Sequence, residues 1–391
     1  MYRVGSEEIE ELKKVIETKS LFKVNSGLQE TFKVQEKLEK IFGSKYSIFL
    51  TSGQAALNSA LIASGIGPGD EVIVPAYTYI ATAMAVVNAG AIPVLAEVDE
   101  TLTISPEDIE SKITPHTKGI IPVHIQGFPC NMNRIMDIAN KHNLFVLEDA
   151  CQAVGGSFNG KRLGAIGHAG ALSFNYFKII SSGEGGAIFT NDRNIYERSL
   201  IHHDASAVSF FGNQMSDFKN KDFCGTEYRS NELCAAMMNI QLDRLDSILY
   251  DLRKNKKYIM ESLKDVCDFV SSYDIDGDCG VVIPFKFESE EKARAFAEKA
   301  QMGGCLPIDT GRHVYTNWTP IVEKRGAYNP LMDPFKMEAN KEILRDYTPN
   351  TCPETLKKLS QVLYINVNPD WTKSEMDEKI AAFKNAAKDV M

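Results

Sequence analysis

Residues 71–98 of the chain read EVIVPAYTYIATAMAVVNAGAIPVLAEV, and this stretch decides the fold. Two short apolar runs stand at its ends, EVIVP (71–75) and IPVLAEV (92–98), and a helical segment begins between them at about Thr78. Short apolar runs that alternate with helical segments are typical of βαβ units, in which the two strands lie parallel in one sheet. The stretch therefore predicts an α/β domain.

The same alternation continues on both sides of this stretch. Further apolar runs are YSIFL (46–50), KGIIPVH (118–124) and LFVLED (144–149), and further helical segments begin at Gln54 and near residue 131. Two amphipathic segments, 6–19 and 31–42, precede the first run and are expected to form an N-terminal helical arm. We predict a large domain with a mostly parallel sheet that is flanked by helices.

The second half of the chain has a different pattern. After the apolar segments AGALSF (169–174) and GGAIFTND (185–192), a polar stretch from His202 to Arg229 predicts a long functional loop. A well-patterned helix follows at 231–263, and the segments after it indicate a smaller α+β domain. We place the division at residue 245, so that residues 1–245 form the large domain with its helical arm and residues 246–391 form the smaller C-terminal domain.

Composition and charge disfavour several classes of protein. Of the 391 residues, 24% are charged and 44% are hydrophobic, as in ordinary globular proteins. The formal net charge of −9 opposes binding to nucleic acid, and no run approaches the ~20 apolar residues of a membrane span. The eight cysteines form no C-x-x-C pair, so we expect no metal site, and reduced thiols in a cytoplasmic protein.

Two loops that follow apolar runs carry candidate ligand-binding residues. Ser52, Gly53 and Gln54 lie between a strand and a helix, where the N–H groups at a helix start can bind an anion such as phosphate. The alternative for this turn is ordinary helix capping. Asp149 ends an apolar strand, and in open α/β sheets that end faces the ligand crevice. The alternative for Asp149 is an N-cap of the segment that follows.

A lysine completes the set of candidate residues. Lys178 comes shortly after the run that ends at Phe174, and it precedes the glycine-rich turn at 183–186. A desolvated lysine is a nucleophile towards carbonyl groups, although a single lysine is more often a surface charge. An anion site, an acid at a strand end and a lysine together are what pyridoxal phosphate requires, because its phosphate, its ring nitrogen and its aldehyde each need a partner.

With these residues the sequence resembles the DegT/DnrJ/EryC1/StrS family of pyridoxal-phosphate-dependent sugar aminotransferases over nearly its whole length. The matching segments, in the order of the family, are GSEEIEELKKVI, TSGQAALNSAL, GPGDEVIVPAYTYIATAMAVVNAGAIPVLAEVD, IIPVHIQGF, VLEDACQAVGGSFNGKRLGAIG, SFNYFKIISSGEGGAIFTND and EYRSNELCAAMMNIQLDRLD. The resemblance implies the type I fold of these enzymes, with a large domain and a smaller one, and a homodimer whose active sites lie at the subunit interface.

The resemblance also implies a role for single residues. Lys178 would form the Schiff base with the cofactor, and Asp149 would pair with the pyridine nitrogen. Five further positions would bind the cofactor, which are Gly53, Gln54 and Ser173 at the phosphate, Gln152 at the phenolic oxygen and Tyr79 on the ring face. The alternative for Tyr79 is an aromatic residue of the core.

Three departures from the family pattern bear on the site. Gln54 stands where the family has a threonine, which keeps a backbone contact and changes any side-chain contact. Glu227 stands where the family has an asparagine that reaches the phosphate of the partner subunit, and that role is not carried over because a phosphate repels a carboxylate. In the smaller domain RHVYTNW (312–318) replaces the commoner His-Tyr pattern. Four of its residues are expected to line the substrate pocket, or alternatively to form a domain-packing turn, and they are Arg312, His313, Tyr315 and Trp318.

The function that the resemblance implies is transfer of an amino group from an amino acid, with glutamate expected, to a keto sugar. The acceptor is either linked to a nucleotide or an eight-carbon octulosonate, and the segments GFPCNM, EVDETLTISPEDI and RHVYTNW favour the octulosonate subgroup. Dehydratases of the family have a histidine in place of the Schiff-base lysine, so Lys178 argues against them. A catalytically silent protein of the same fold is a second alternative. A dehydrogenase is disfavoured because no G-x-G-x-x-G turn follows the first strand.

Overall fold

A seven-stranded sheet forms the centre of the computed structural model, which describes residues 3–24, 27–206, 219–388 and 390. Its strands are β1 (Tyr46–Leu50), β2 (Glu71–Pro75), β3 (Ile92–Ala96), β4 (Thr117–Ile120), β5 (Phe145–Asp149), β8 (Ala169–Ser173) and β9 (Gly186–Thr190). The short strands β6 (Ser157–Phe158) and β7 (Lys161–Arg162) pair in a hairpin of their own. The order in the large sheet is β1-β9-β8-β5-β4-β2-β3, and only β9 runs against the other six strands. The predicted α/β architecture is therefore confirmed.

Helices cover both faces of this sheet. They are α1 (Ser6–Glu17), α2 (Glu30–Phe42), α3 (Gly53–Ser64), α4 (Ala81–Asn88), α5 (Pro106–Lys112), α6 (Met132–His142), α7 (Arg193–His203) and α8 (Glu232–Leu263). All five residues of β2 and of β3 are buried, as expected for parallel strands with a covered face on each side. Within β2, Ile73 belongs to one hydrophobic cluster, and Val72 and Val74 belong to the cluster on the opposite face.

The predicted N-terminal arm consists of α1 and α2, and both helices pack on α8. Glu8 of α1 accepts a hydrogen bond from Arg244 at 2.7 Å. The buried carboxylate of Glu232, at the first turn of α8, accepts the backbone N–H of Glu30 at 2.6 Å and the hydroxyl of Thr31 at 2.6 Å. These contacts fix the arm to the body of the protein.

The C-terminal part contains a second, three-stranded antiparallel sheet of β10 (Asp268–Phe269), β11 (Val282–Lys286) and β12 (Val362–Asn366). Its helices are α9 (Glu290–Ala300), α10 (Thr319–Val322), α11 (Pro353–Ser360) and α12 (Lys373–Lys388). Helix α8 runs without a break through residue 245 and ends at Leu263. A division into domains at 245 passes through the middle of this helix, and it stays a prediction.

The loop was predicted to begin at His202, but His202 and His203 belong to the last turn of α7. Residues 207–218 of this segment lie outside the described part of the chain. The segment after them is fixed by Glu197 of α7, whose carboxylate accepts the backbone N–H groups of Lys219 at 2.9 Å and Asn220 at 3.0 Å. In the described ranges, no helix is both long and apolar enough to cross a membrane.

Candidate active site

A cavity of about 650 Å³ lies at the carboxyl ends of the parallel strands. This edge is where ligands bind in open α/β sheets, because the loops that follow the strands converge there. The loops after β1, β2, β5 and β8 all contribute to the wall. The predicted residues that line the cavity are Gly53, Gln54, Tyr79, Asp149, Gln152, Ser173, Lys178 and His313.

The start of α3 forms one end of the cavity. Ser52 is the N-cap, and its hydroxyl accepts the backbone N–H of Ala55 at 3.1 Å. At Gly53 an added Cβ would lie 2.7 Å from the sulfur of Cys151 and 2.8 Å from the Cβ of Ser173, so the packing there admits only glycine. The capping and the anion site that we expected as alternatives are therefore compatible, since the capped helix start faces the cavity beside Ser173.

Asp149 is held by two hydrogen bonds at the end of β5. Its side chain is buried, one carboxylate oxygen accepts the hydroxyl of Thr82 at 2.7 Å, and the other accepts the N–H of Cys151 at 3.1 Å. The Thr82 hydroxyl in turn lies 2.8 Å from that of Thr78. The chain continues from Asp149 in turns rather than in a helix, so the N-cap alternative is wrong. Both threonines line the cavity, and sequence reasoning missed them.

The residue before Asp149 acts on the opposite face of the sheet. Glu148 is fully buried, and its carboxylate accepts the N–H groups of Gly164 at 2.9 Å and Ile166 at 2.6 Å. His124 Nε2 lies 3.0 Å from the same carboxylate, while Nδ1 accepts the N–H of Cys130 at 3.1 Å. With Nδ1 as an acceptor, Nε2 carries the proton and donates to Glu148. These bonds tie the loop beside β8 to β5.

Lys178 lies at the tip of a closed loop. The base is closed by the N–H of Phe174, which donates to the carbonyl of Gly185 at 2.8 Å. Within the loop, Asn175 accepts the N–H of Lys178 at its carbonyl (2.9 Å), and its amide donates to Glu184 at 2.8 Å. The loop therefore presents the half-buried lysine to the cavity on a fixed backbone.

Gln152 is oriented by the backbone of another cavity residue. Its carbonyl oxygen accepts the N–H of Gln126 at 3.2 Å, and Gln126 has a left-handed backbone with φ of 50°. A left-handed conformation is uncommon for a residue with a side chain and indicates a local constraint. Because the oxygen is engaged, the NH₂ group of Gln152 is left to donate to a ligand. No sequence signal indicated this pairing.

Tyr79 and His313 approach each other across the mouth of the cavity, with ring centroids 5.3 Å apart. The side chain of Tyr79 is 40% exposed, so the alternative of a core aromatic is wrong. Burial lowers the pKa of His313, and the nearby charge of Lys178 lowers it further. Both effects favour the neutral form of the imidazole.

Two residues that we expected to line the substrate pocket lie in the core instead. Tyr315 and Trp318 are fully buried, and neither reaches the cavity. The Tyr315 hydroxyl donates to the carbonyl of Pro349 at 2.9 Å, and the Trp318 indole N–H donates to that of Arg312 at 2.8 Å. Their placement follows from their large apolar surfaces, and it matches the domain-packing alternative. Arg312 is exposed beside His313 but does not line the cavity.

The carboxylate of Glu227, which stands in place of the family's asparagine, meets a cation. It pairs with the guanidinium of Arg229 and accepts the backbone N–H of that residue at 2.9 Å. Arg229 also pairs with Asp204, which is buried. The neighbouring carbonyl of Tyr228 accepts the N–H of Thr51 at 3.0 Å, so this acid–arginine cluster adjoins the turn that starts α3.

Comparison with known proteins assigns the family. The model of the DegT/DnrJ/EryC1/StrS aminotransferase family matches residues 3–384. The chain belongs to this family. The predicted resemblance is thereby confirmed.

Solved structures and curated relatives agree with this assignment. An aminotransferase from Psychrobacter cryohalolentis superposes with a TM-score of 0.81 at 26% identity, covering 100% of this chain and 99% of that one. NtdA from Bacillus subtilis, solved with bound cofactor PMP, gives 0.77 at 25% identity, covering 98% of this chain and 83% of that one. The predicted type I aminotransferase fold is thereby confirmed.

Among curated proteins, GDP-perosamine synthase from Caulobacter vibrioides is 41% identical over 221 residues, which is 54% of this chain and 57% of the relative. The chain thus matches somewhat more than half the length of that relative. In the described part of the chain, no group of three or more His, Cys, Asp or Glu side chains is placed to hold a metal ion.

Proposed function

We propose that the protein is a pyridoxal-phosphate-dependent aminotransferase that moves an amino group from an amino acid, glutamate, to the carbonyl of a keto sugar. The observation that carries this proposal is that Lys178 and Asp149 line one cavity on fixed backbones, together with Gly53 at the start of α3. Membership of an aminotransferase family supports it.

The residues present fit pyridoxal phosphate. The start of α3 lines the cavity at Ser52, Gly53 and Gln54, with the Ser173 hydroxyl beside it, so this helix start can meet a phosphate. Asp149 offers a carboxylate whose two oxygens are already oriented, and Lys178 offers an amine. The bound PMP of NtdA supports the same cofactor. When bound, pyridoxal phosphate supplies an electron sink for the carbanion formed during amino transfer.

Each of these residues has a separate task in the proposed reaction. Lys178 would hold the cofactor covalently, and its amine would serve as the base that moves a proton at the substrate carbon. Asp149 would keep the pyridine nitrogen protonated. Gln152 would donate its NH₂ group to the phenolic oxygen, and Tyr79 would pack on the ring. Gly53, Gln54 and Ser173 would hold the phosphate.

An acceptor that carries a carboxylate or a diphosphate needs a cation beyond those of the described cavity wall. Among the lining residues within the described chain, Lys178 is the only lysine or arginine, and its amine is expected to bind the cofactor rather than the acceptor. A carboxylate or a diphosphate on the acceptor therefore requires a partner at the rim, and Arg312 is exposed there next to His313. GDP-perosamine synthase, by its name, supports a nucleotide-linked sugar, whereas the segments at 97–109, 127–132 and 312–318 favour an octulosonate.

We also propose a cytoplasmic homodimer with its active sites at the subunit interface. Beside Lys178, Phe177 lines the cavity and is 84% exposed, and the neighbouring Tyr176 is 55% exposed. Exposed apolar groups grouped in this way are typical of interfaces. All eight cysteines are free thiols, as in a reducing compartment.

The experiment that tests the function is a transamination assay of the cofactor-loaded protein. Glutamate should convert the cofactor spectrum in a first half-reaction, and a keto sugar should restore it in the second. The two acceptor classes, a nucleotide-linked 4-keto sugar and an octulosonate with a carbonyl at carbon 8, are compared by kcat/KM. Failure of every keto sugar to restore the spectrum would remove the proposed substrate class.

A further inference from the structure

Residues 312–315 pair with the connection between β2 and α4 as a short antiparallel ribbon. Tyr77 and Val314 form a bridge, and the N–H of Thr78 donates to the carbonyl of His313 at 3.0 Å. The N–H of Ile80 donates to the carbonyl of Arg312, also at 3.0 Å. The positions of Arg312 and His313 are therefore set relative to Tyr79, which lies between these two donors.

Trp318 holds the same ribbon from the core. The indole is fully buried, and its N–H donates to the carbonyl of Arg312 at 2.8 Å. That carbonyl thus accepts two hydrogen bonds, from Ile80 and from Trp318, which uses both of its lone pairs. A buried indole N–H needs such a partner, so the ring and the turn constrain each other.

We propose that Trp318 is a positioning residue for the acceptor substrate, because its indole N–H holds the Arg312–His313 turn at the rim of the cavity. The inference rests on the proposed function and deepens it. The guanidinium of Arg312 binds the anionic group of the acceptor, which is a carboxylate or a phosphate. The rings of His313 and Tyr79 flank the entrance beside it.

Arg312 and Trp318 have different roles in this arrangement, although both of them were expected from the sequence to line the substrate pocket. Arg312 is exposed beside the cavity residue His313 and is the group proposed to meet the acceptor, whereas Trp318 has no surface in the cavity and acts only through the carbonyl of Arg312. Loss of the indole N–H leaves that carbonyl with the Ile80 bond alone, so the turn gains freedom while Lys178 and Asp149 stay in place. A small displacement of a binding group weakens ground-state contact with the acceptor more than it changes the chemistry at Lys178.

The test compares Trp318→Phe with Arg312→Ala and with a matched control, Tyr347→Phe. Tyr347 is buried in the same hydrophobic cluster as Trp318, and its hydroxyl donates to the carbonyl of Pro93 at 2.8 Å, away from the turn. Trp318→Phe should raise the KM of the better acceptor about tenfold, as one hydrogen bond is worth, with kcat within twofold and the KM of glutamate unchanged. Tyr347→Phe should leave all three constants near those of the parent.

Three kinetic results would overturn the inference. The first is an unchanged KM of the acceptor in Trp318→Phe. The second is an equal change of that KM in Trp318→Phe and Tyr347→Phe. The third is a rise of the KM of glutamate in Trp318→Phe as large as that of the acceptor. If Arg312→Ala leaves both acceptor types unaffected, the proposed anion contact fails instead, and the inference fails with it. If Arg312→Ala raises the KM and Trp318→Phe does not, only the inference fails.

A measurement without substrate keeps the inference testable if no acceptor is turned over. Amide hydrogen exchange in the cofactor-loaded protein reports the bonds of the ribbon directly. The amides of Thr78 and Ile80 should exchange about tenfold faster in Trp318→Phe than in the parent, and at the parental rate in Tyr347→Phe. Parental exchange of both amides in Trp318→Phe would show that the indole does not hold the turn.

Discussion

Removing the Thr82 hydroxyl should loosen the carboxylate on which the cofactor depends. In Thr82→Val the shape of the side chain is kept, and Asp149 loses the donor that lies 2.7 Å from one of its oxygens. The other oxygen keeps the N–H of Cys151. Thr82→Ser keeps the hydroxyl and is the matched control.

The magnitude follows from the surroundings of Asp149. A hydrogen bond to a charged group contributes about 1.5–3 kcal/mol, and the lower end applies here because Asp149 borders a cavity that water can enter. We therefore expect the free energy of unfolding of the cofactor-free protein to fall by about 1.5 kcal/mol in Thr82→Val relative to Thr82→Ser. If the same bond helps to orient Asp149 towards the cofactor, affinity should fall about tenfold.

Chemical denaturation of the cofactor-free protein measures the free energy of unfolding. Titration with pyridoxal phosphate, followed by absorbance, measures the affinity for the cofactor. Equal stability and equal affinity of the valine and serine variants would show that Thr82 does not hold Asp149. Loss of stability without loss of affinity would limit Thr82 to a structural role.

Three further outcomes are expected. Gly53→Ala should weaken binding of the cofactor at least tenfold, because a Cβ there lies 2.7 Å from the sulfur of Cys151, and an unchanged titration would contradict this. Phe177→Ser should weaken the dimer, since burial of a phenylalanine contributes about 1.5–3 kcal/mol. Sedimentation equilibrium of the parent and the variant measures this, and a monomeric parent would contradict the prediction. Burial lowers the pKa of His203 well below its ordinary value, so below about pH 6.5 only the unfolded chain binds this proton and stability falls as pH falls. His203→Asn should flatten that fall in denaturation curves at pH 7 and pH 5, and an unchanged slope would exclude His203 as its source.

The sequence predicts most of the frame of the site for a simple physical reason. Parallel strands such as β2 and β5 read as short apolar runs, and the residue that follows each run must lie at the common carboxyl edge. Gly53, Asp149 and Lys178 could therefore be placed in one cavity before the structure was known. Their local signals survive because Asp149 ends β5, and Gly53 and Lys178 lie shortly after the ends of β1 and β8.

The remaining parts depend on contacts that a linear pattern does not carry. Thr82 and Gln126 act through a carboxylate and a backbone N–H that are distant in sequence. Trp318 lies in a polar segment beside Arg312, and nothing in that segment indicates which side chain turns to the core. The long helix α8 was predicted, and the division at 245, which falls inside this helix, stays a prediction.

The central claim is that Lys178 forms the covalent link with pyridoxal phosphate. Borohydride reduction of the cofactor-loaded protein makes this link permanent, and peptide mass spectrometry then locates it. We predict the added mass of the reduced cofactor on Lys178 in the parent, and none at any lysine in Lys178→Ala. The same mass on another lysine, or its persistence in Lys178→Ala, would contradict the account.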